Sequence, residues 1–397
     1  MREAVIVDVV RTAAGKGKPG GALSGTHPTD LLATVLEAIV TRNGIDPAIV
    51  DDVIAGCVQQ AAEQSTNIAR NALLGAGFPE HVPGTTIDRQ CGSSQQAATF
   101  AAQAIMSGFQ DVVIACGVES MSRVPMGTPP MGRDFSGTKV HARYPEGLVN
   151  QGISAELISA KWGFSRAQLD DFSAVSHQRA AAAIRDGLFD AEIVPVTVTD
   201  AEGTAFTHTV DETVRASTTA EGLAGLPVSF RTEKYAQRFP DIEWKITPGN
   251  SSPLTDGASA ALIMSAEKAK ALGLRPRARF VSFSVVGDDP MLMLTGPIPA
   301  TAKVLDRAGL SIGDIDAYEV NEAFAPVPLA WLAETGADPA RLNPLGGAIA
   351  LGHALGSSGT RLLATLVNHL EATGGRYGLQ TMCEGAGMAN ATIIERI

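Results

Sequence analysis

The sequence predicts an α/β chain of two similar halves separated by a less regular insertion. Three observations carry this prediction. Strand-like and helix-like apolar patterns alternate at both ends of the chain, the two ends echo one another at equal spacing, and residues 122–250 lack the alternation. A length of 397 residues, roughly twice what one hydrophobic core serves, suits a duplicated fold.

In order, residues 4–10 form an apolar strand. Thr29 or Asp30 is placed to cap a helix in which Leu31, Leu32, Val35, Leu36, Ile39 and Val40 recur at helical spacing, and Asn43-Gly44 ends it. A strand at 53–55, a helix over 67–74 and a strand at 84–87 follow. Val112-Val113-Ile114-Ala115 is a continuous apolar run, as in a strand buried on both faces. Such alternation implies a largely parallel sheet covered by helices. From Ser122 to Asn250, Pro125, Pro129, Pro130 and several glycines break the rhythm. Helical patterns at 154–162 and 166–186 precede a polar, Thr-rich stretch at 196–219, expected to be extended loop with few regular strands. The rhythm then returns. Gly44-Ile45-Asp46-Pro47 through Asp51 resembles Gly309-Leu310-Ser311-Ile312 through Asp316, and 47 residues separate Gly44 from Cys91 and Gly309 from Gly356. Gly92-Ser93-Ser94 and Gly356-Ser357-Ser358 open helices at 97–106 and 360–370. Each helix leads to a strand, at 111–115 and 377–382, that ends near a cysteine, Cys116 or Cys383. Two such halves would pack about a pseudo-twofold axis and bring matching loops to one shared site.

An apolar content of 45% with 18% charged residues is globular and excludes disorder. The net charge of −11 argues against a nucleic-acid or anionic-membrane surface. No apolar run reaches the length of a membrane span, and residues 1–7 read as a strand without the layout of a signal peptide, which makes the cytoplasm the expected location. The four cysteines, Cys57, Cys91, Cys116 and Cys383, make neither a disulfide framework nor a zinc pattern, so no metal is expected.

Two of the cysteines sit in unusual contexts. Cys91, in Asp88-Arg89-Gln90-Cys91-Gly92-Ser93-Ser94, lies where a strand turns into an Ala-rich helix. The unpaired N–H groups of a helix start favour thiolate over thiol. His353 stands in a glycine-rich loop, Gly352-His353-Ala354-Leu355-Gly356, that matches neither phosphate-binding glycine pattern and suits a base beside a helix start. Cys383-Glu384-Gly385-Ala386-Gly387 follows a strand, and its glycines permit the close backbone approach that an oxyanion site requires. Asn321 and Glu322 end the strand at 317–320. Two cysteines, a histidine and an amide thus fall at strand-to-helix turns of the two halves.

Together these stretches resemble the thiolase family over nearly the full length and in order: Arg11-Thr12, Gly20-Gly21-Ala22-Leu23-Ser24, Gln90-Cys91-Gly92-Ser93-Ser94, Gly117-Val118-Glu119-Ser120, Gly249-Asn250-Ser251-Ser252, Asn321-Glu322-Ala323-Phe324, Gly352-His353 and Cys383-Glu384-Gly385. The resemblance implies two βαβαβαββ halves in a five-layered α-β-α-β-α arrangement, in which two sheets sandwich buried helices. It assigns residues 1–121 with 251–274 to the first half, 122–250 to an inserted loop domain that binds coenzyme A, and 275–397 to the second half. It implies thiolysis of a 3-oxoacyl-CoA through an acyl-cysteine. Cys91 would be the nucleophile, His353 its base, Cys383 the acid/base at the α-carbon, and Asn321 the holder of a water that with His353 forms one oxyanion hole. The backbone of Cys91 and Gly385 would form the other. Ser252, Phe324 and Gln151 would meet coenzyme A, which is a substrate here and not a resident cofactor. Arg215, Arg231 and Arg238 remain open for its phosphates. Ala13 and Ala354 replace common prolines, and Ser94 and Gln95 stand where Gly and Met are frequent. These features are most similar to degradative, lipid- or steroid-directed members. A biosynthetic acetoacetyl-CoA thiolase, a decarboxylating condensing enzyme of the same fold and a non-catalytic lipid-CoA carrier are the alternatives. The family habit also implies a homodimer or homotetramer.

Overall fold

A computed structural model describes residues 2–199 and 203–397; Met1, at the start of the expected first strand, and residues 200–202, within the Thr-rich stretch, lie outside the described residues. The first half contains β1 (Ala4–Thr12), α1 (Pro28–Arg42), β2 (Asp52–Gly56), α2 (Ile68–Gly75), β3 (Gly84–Ile87), α3 (Ser93–Met106) and β4 (Val112–Ser120). After α4 (Gln151–Trp162) and α5 (Arg166–Arg185), β5 (Thr255–Ser265) rejoins the first sheet. The second half follows as β6 (Ala278–Gly287), α6 (Pro297–Ala308), β7 (Ala317–Val320), α7 (Pro326–Thr335), α8 (Ser358–Thr373), β8 (Tyr377–Glu384) and β9 (Met388–Arg396).

The duplication is visible in the strand order. One half runs β3-β2-β4-β5-β1 and the other β7-β8-β9-β6, with the same parallel and antiparallel pairings in each. The place of β3 is taken in the second half by a single parallel bridge between Tyr318 and Leu342. The two sheets are not separate, because β1 and β6 pair antiparallel at Val5–Arg279 and Ile6–Ala278 and make one continuous path. Side-chain alternation then sorts the layers. Val112, Ile114, Cys116 and Val118 of β4 face the outer core against α1 and α2. Val113 and Ala115 face inward, where α3 and α8 lie between strands of both halves. The other outer layer is α6 and α7. Five layers result, and burial on both faces is why the central strands read as unbroken apolar runs.

Several local expectations are corrected. The first helix is capped by His27, whose ring nitrogen accepts from Thr29 N, with Pro28 at the first helical position; a fixed proline φ suits that position better than the polar caps after it. β4 continues four residues past Cys116, so this cysteine is mid-strand in the outer core and not at a turn. Cys383 is the penultimate residue of β8, and the turn after it joins two antiparallel strands, not a strand and a helix. The Thr-rich stretch holds a hairpin, Val196–Thr199 against Ala205–His208.

The unusual Ser94 and Gln95 are explained by the central layer. Ser94 Oγ accepts from Thr360 N, and Gln95 Nε2 donates to Gln380 O and to Thr392 Oγ1. α3 and α8 approach so closely that a Cβ on Gly359 would stand 2.0 Å from Gln95 N. At that separation backbone polar groups face each other directly, and short polar side chains must satisfy them.

Candidate active site

Cys91 precedes Gly92, the N-cap of α3, and follows Gln90, held at φ +49. Its side chain packs with Val58, Met121, Leu355 and Met382, residues of both halves. The helix start does not win its electrostatics. Burial pushes the Cys91 thiol well above its ordinary value, and Cys383, Glu384 and Glu119 add to this while its own backbone N–H opposes it. The resting nucleophile is therefore a thiol, contrary to the expectation from the helix dipole, and needs a base.

His353 is 4% exposed. Its backbone N donates to Thr255 Oγ1 at 2.9 Å. The Ser358 hydroxyl donates to Ala354 O at 2.8 Å, so at the 2.6 Å contact with His353 Nδ1 its oxygen accepts from Nδ1–H. This chain assigns the proton to Nδ1 and leaves Nε2 as the basic nitrogen. Burial, reinforced by the Arg361 charge, lowers the imidazole to about 3, so it is neutral at neutral pH. Asn321 Nδ2 lies 3.4 Å from Nε2, and Asn321 Oδ1 is buried without a partner among the described residues. The Asn321 loop is fixed by the Glu322 carboxylate, which accepts from Ser176 Oγ, Asn343 Nδ2 and Ile349 N.

Cys383 is fully buried with Ala323, Phe324, Leu294 and Ile349, and burial raises its thiol to about 12. Were it ionised, its thiolate would raise the Cys91 thiol further. Gly385 abuts the Cys91 turn: a Cβ there would stand 2.8 Å from Gln90 Oε1. The loops carrying 91, 321, 353 and 383 thus converge from both halves.

Ser252 N donates to Ala323 O at 3.0 Å, and Ser251 bridges to Phe324. Phe324 meets Phe230 edge-on at 6.0 Å, and Phe230 packs so tightly on Gly152 that a Cβ there would lie 2.3 Å from its ring. Gln151, in the first turn of α4, is adjacent. Beside this group a cavity of about 340 Å³ is lined by Lys16, Lys18, His177, Arg215, Gly249 and Ser251, among others. Of the three open arginines, Arg215 alone lines it; Arg238 is engaged by Gly147 O and Glu146.

Sequence reasoning missed the residues that hold these groups in place. Glu119 accepts from Val58 N, Gln59 N, Gln64 Nε2 and Gly356 N, tying the His353 loop to the other half. Thr255 and Ser358 orient His353. Nothing about a lone Glu, Thr or Ser marks such a role; only the position of Ser358 five residues after a glycine-flanked histidine offered a hint.

The chain is similar to known proteins along nearly its whole length. The thiolase N-terminal domain matches residues 4–267 and the thiolase C-terminal domain residues 274–396. The chain is 50% identical over 407 residues to a steroid 3-ketoacyl-CoA thiolase of Mycobacterium tuberculosis, covering all of this chain and 95% of that protein. It is 45% identical over 402 residues to a 3-ketoacyl-CoA thiolase of Vibrio vulnificus, with both chains fully covered. Among solved structures, the acetyl-CoA acetyltransferase of Bacillus anthracis superposes with a TM-score of 0.90 at 38% identity, covering 100% of this chain and 99% of that one.

Proposed function

The chain belongs to the thiolase family of acyltransferases, and on that premise we propose that it cleaves 3-oxoacyl-CoA thioesters with coenzyme A, releasing acetyl-CoA and a shortened acyl-CoA in lipid or steroid degradation. The observation that carries the reading is the Asn321–His353–Ser358 chain, which holds a buried, neutral imidazole with Nδ1 protonated and Nε2 as its basic nitrogen, facing Asn321 Nδ2. In this reading Nε2 takes the Cys91 proton and the thiolate attacks the 3-carbonyl. The C2–C3 bond breaks, its electron pair leaving as the acetyl-CoA enolate. Donors aimed at the enolate oxygen supply several kcal/mol of stabilisation, and Cys383, which the buried site keeps protonated, delivers its proton to the enolate carbon. A coenzyme A thiol then gives its proton to the Cys383 thiolate and attacks the acyl carbonyl, and Cys91 leaves as a thiolate that takes back the proton held on His353 Nε2.

Residues 122–250 receive coenzyme A in this reading, with Ser252, Phe324 and Gln151 along the pantetheine arm and Arg215 at the phosphate end. The basic rim of Lys18 and Arg215 on the 340 Å³ cavity supports that placement. A homodimer or homotetramer in the cytoplasm completes the proposal; no described helix is long and apolar enough to cross a membrane. The names of the 50% and 45% identical relatives favour the degradative direction. The likeness to an acetyl-CoA acetyltransferase structure supports a second reading, acetoacetyl-CoA synthesis. Thiolysis rates across acyl lengths decide between them. The degradative reading expects C8 or steroid thioesters to outrun acetoacetyl-CoA, and the reverse order overturns it. Cys91→Ala should abolish turnover of every substrate, and persistent turnover would remove the nucleophile assignment.

A further inference from the structure

Glu384, between Cys383 and Gly385, is a titratable group that this mechanism does not use. It is fully buried, and neither carboxyl oxygen has a hydrogen-bond partner among the described residues. Its position is defined by Gly92: a Cβ on that residue would stand 2.2 Å from Glu384 Oε1, 2.9 Å from its Cδ and 2.8 Å from Asn390 Nδ2. The carboxyl therefore lies directly against the backbone of the residue that follows the nucleophile. Asn390 Nδ2 donates to Gly92 O at 3.0 Å, while Asn390 Oδ1 is a buried acceptor without a donor among the described residues. The charged groups facing this pocket are Arg89 and Asp88 from the turn before α3, with Cys91 on that turn and Cys383 on the strand of Glu384 itself. Arg89 makes no hydrogen bond to the carboxyl, and its buried Nε also has no partner among the described residues.

An ionised carboxylate in such a place would be an acceptor with no donor, which costs several kcal/mol. A protonated one carries a single O–H, and the group next to it, the Asn390 amide, has one acceptor to spare. We propose that Glu384 is a positioning residue for the Cys91 nucleophile, held as a neutral carboxylic acid beneath the Cys91-Gly92 turn with its O–H directed at Asn390 Oδ1. This rests on the reading of Cys91 as nucleophile. Two consequences follow. The carboxyl and Asn390 together brace the turn from below, which is why residue 92 has no room for a side chain. Ionisation of Glu384 places a negative charge beside the Cys91 sulfur and opposes thiolate formation. Burial raises Glu384 to about 8, so this opposition begins on the alkaline side of neutrality.

The test compares the intact protein with Glu384→Gln, which preserves the shape and a donor to Asn390. Cys91 is alkylated with iodoacetamide and the modified residue identified by peptide mass spectrometry. At pH 7 the two proteins should react within about twofold of each other; at pH 9.5 the variant should react about five- to tenfold faster, as expected for removal of one nearby charge. An equal acceleration at both pH values would show that Glu384 is ionised throughout, and no acceleration at either would show that it does not act on the thiol; each overturns the proposal. An infrared difference spectrum at pH 7 should contain a carboxylic-acid carbonyl band that Glu384→Gln lacks, and its absence also overturns the proposal. Should Glu384→Gln not fold, Asn390→Ala should shift that band upward by removing its acceptor, and an unshifted band refutes the assigned partner. The infrared result does not depend on turnover, so it stands apart from the fate of Cys91→Ala.

Discussion

Glu119→Gln tests whether the two halves hold the site between them. Glu119 Oε2 accepts from Val58 N at 3.0 Å and Gly356 N at 2.9 Å, and Oε1 accepts from Gln59 N at 3.0 Å and Gln64 Nε2 at 2.8 Å. Glutamine has the same shape, but its amide nitrogen must replace one of these oxygens. Either orientation sets an N–H₂ group against two N–H donors in a fully buried place. Two donors are then left unsatisfied, at about 1–3 kcal/mol each. The neutral amide recovers part of this because it is cheaper to bury than the carboxylate, whose desolvation raises the Glu119 titration in the fold. A net loss of about 2–3 kcal/mol is expected. Gly356 N is three residues from His353, so the turnover number should fall with it while coenzyme A binding is retained. Urea unfolding followed by intrinsic fluorescence measures the first effect, and thiolysis kinetics at 25 °C the second. An unchanged unfolding midpoint with unchanged turnover would refute the claim that this carboxylate clamps the His353 loop across the interface of the halves.

Two further outcomes are expected. Gly359→Ala forces a Cβ to within 2.0 Å of Gln95 N and should separate α3 from α8 at a cost of about 3 kcal/mol or more; a thermal midpoint equal to wild type would contradict the close approach. His177, buried and lowered to about 4 by desolvation and then by Arg215, binds its proton more weakly when folded than at the unfolded value near 6.5. Its contribution is therefore present above pH 6.5 and lost as pH falls toward 4. Buried acids such as Glu319 and Glu322, whose titrations are raised by burial, respond in the opposite sense, so the difference between proteins is the quantity to measure. The stability of wild type relative to His177→Gln should drop by about 2 kcal/mol between pH 7 and pH 5, and a constant difference would show that His177 is not held neutral.

The α/β class, the duplication and the turns that bear Cys91, Asn321 and His353 were legible in the residues, because apolar periodicity and glycine-bounded turns are local properties that follow the chain; Cys383, expected at a strand-to-helix turn, lies inside β8. So was the family. The structure decided what depends on neighbours distant in sequence. It joined the two sheets through β1 and β6, placed Cys116 in the outer core, and turned the expected thiolate at position 91 into a buried thiol, since burial is a property of everything packed around a group and a helix start is a property of the next few residues only. It also selected the proton position on His353 through Ser358 and set Glu119 and Glu384 in their roles, because a carboxylate's partners come from whichever chain segments fold against it, and their sequence separations, up to 237 residues for Glu119 and Gly356, leave no local trace.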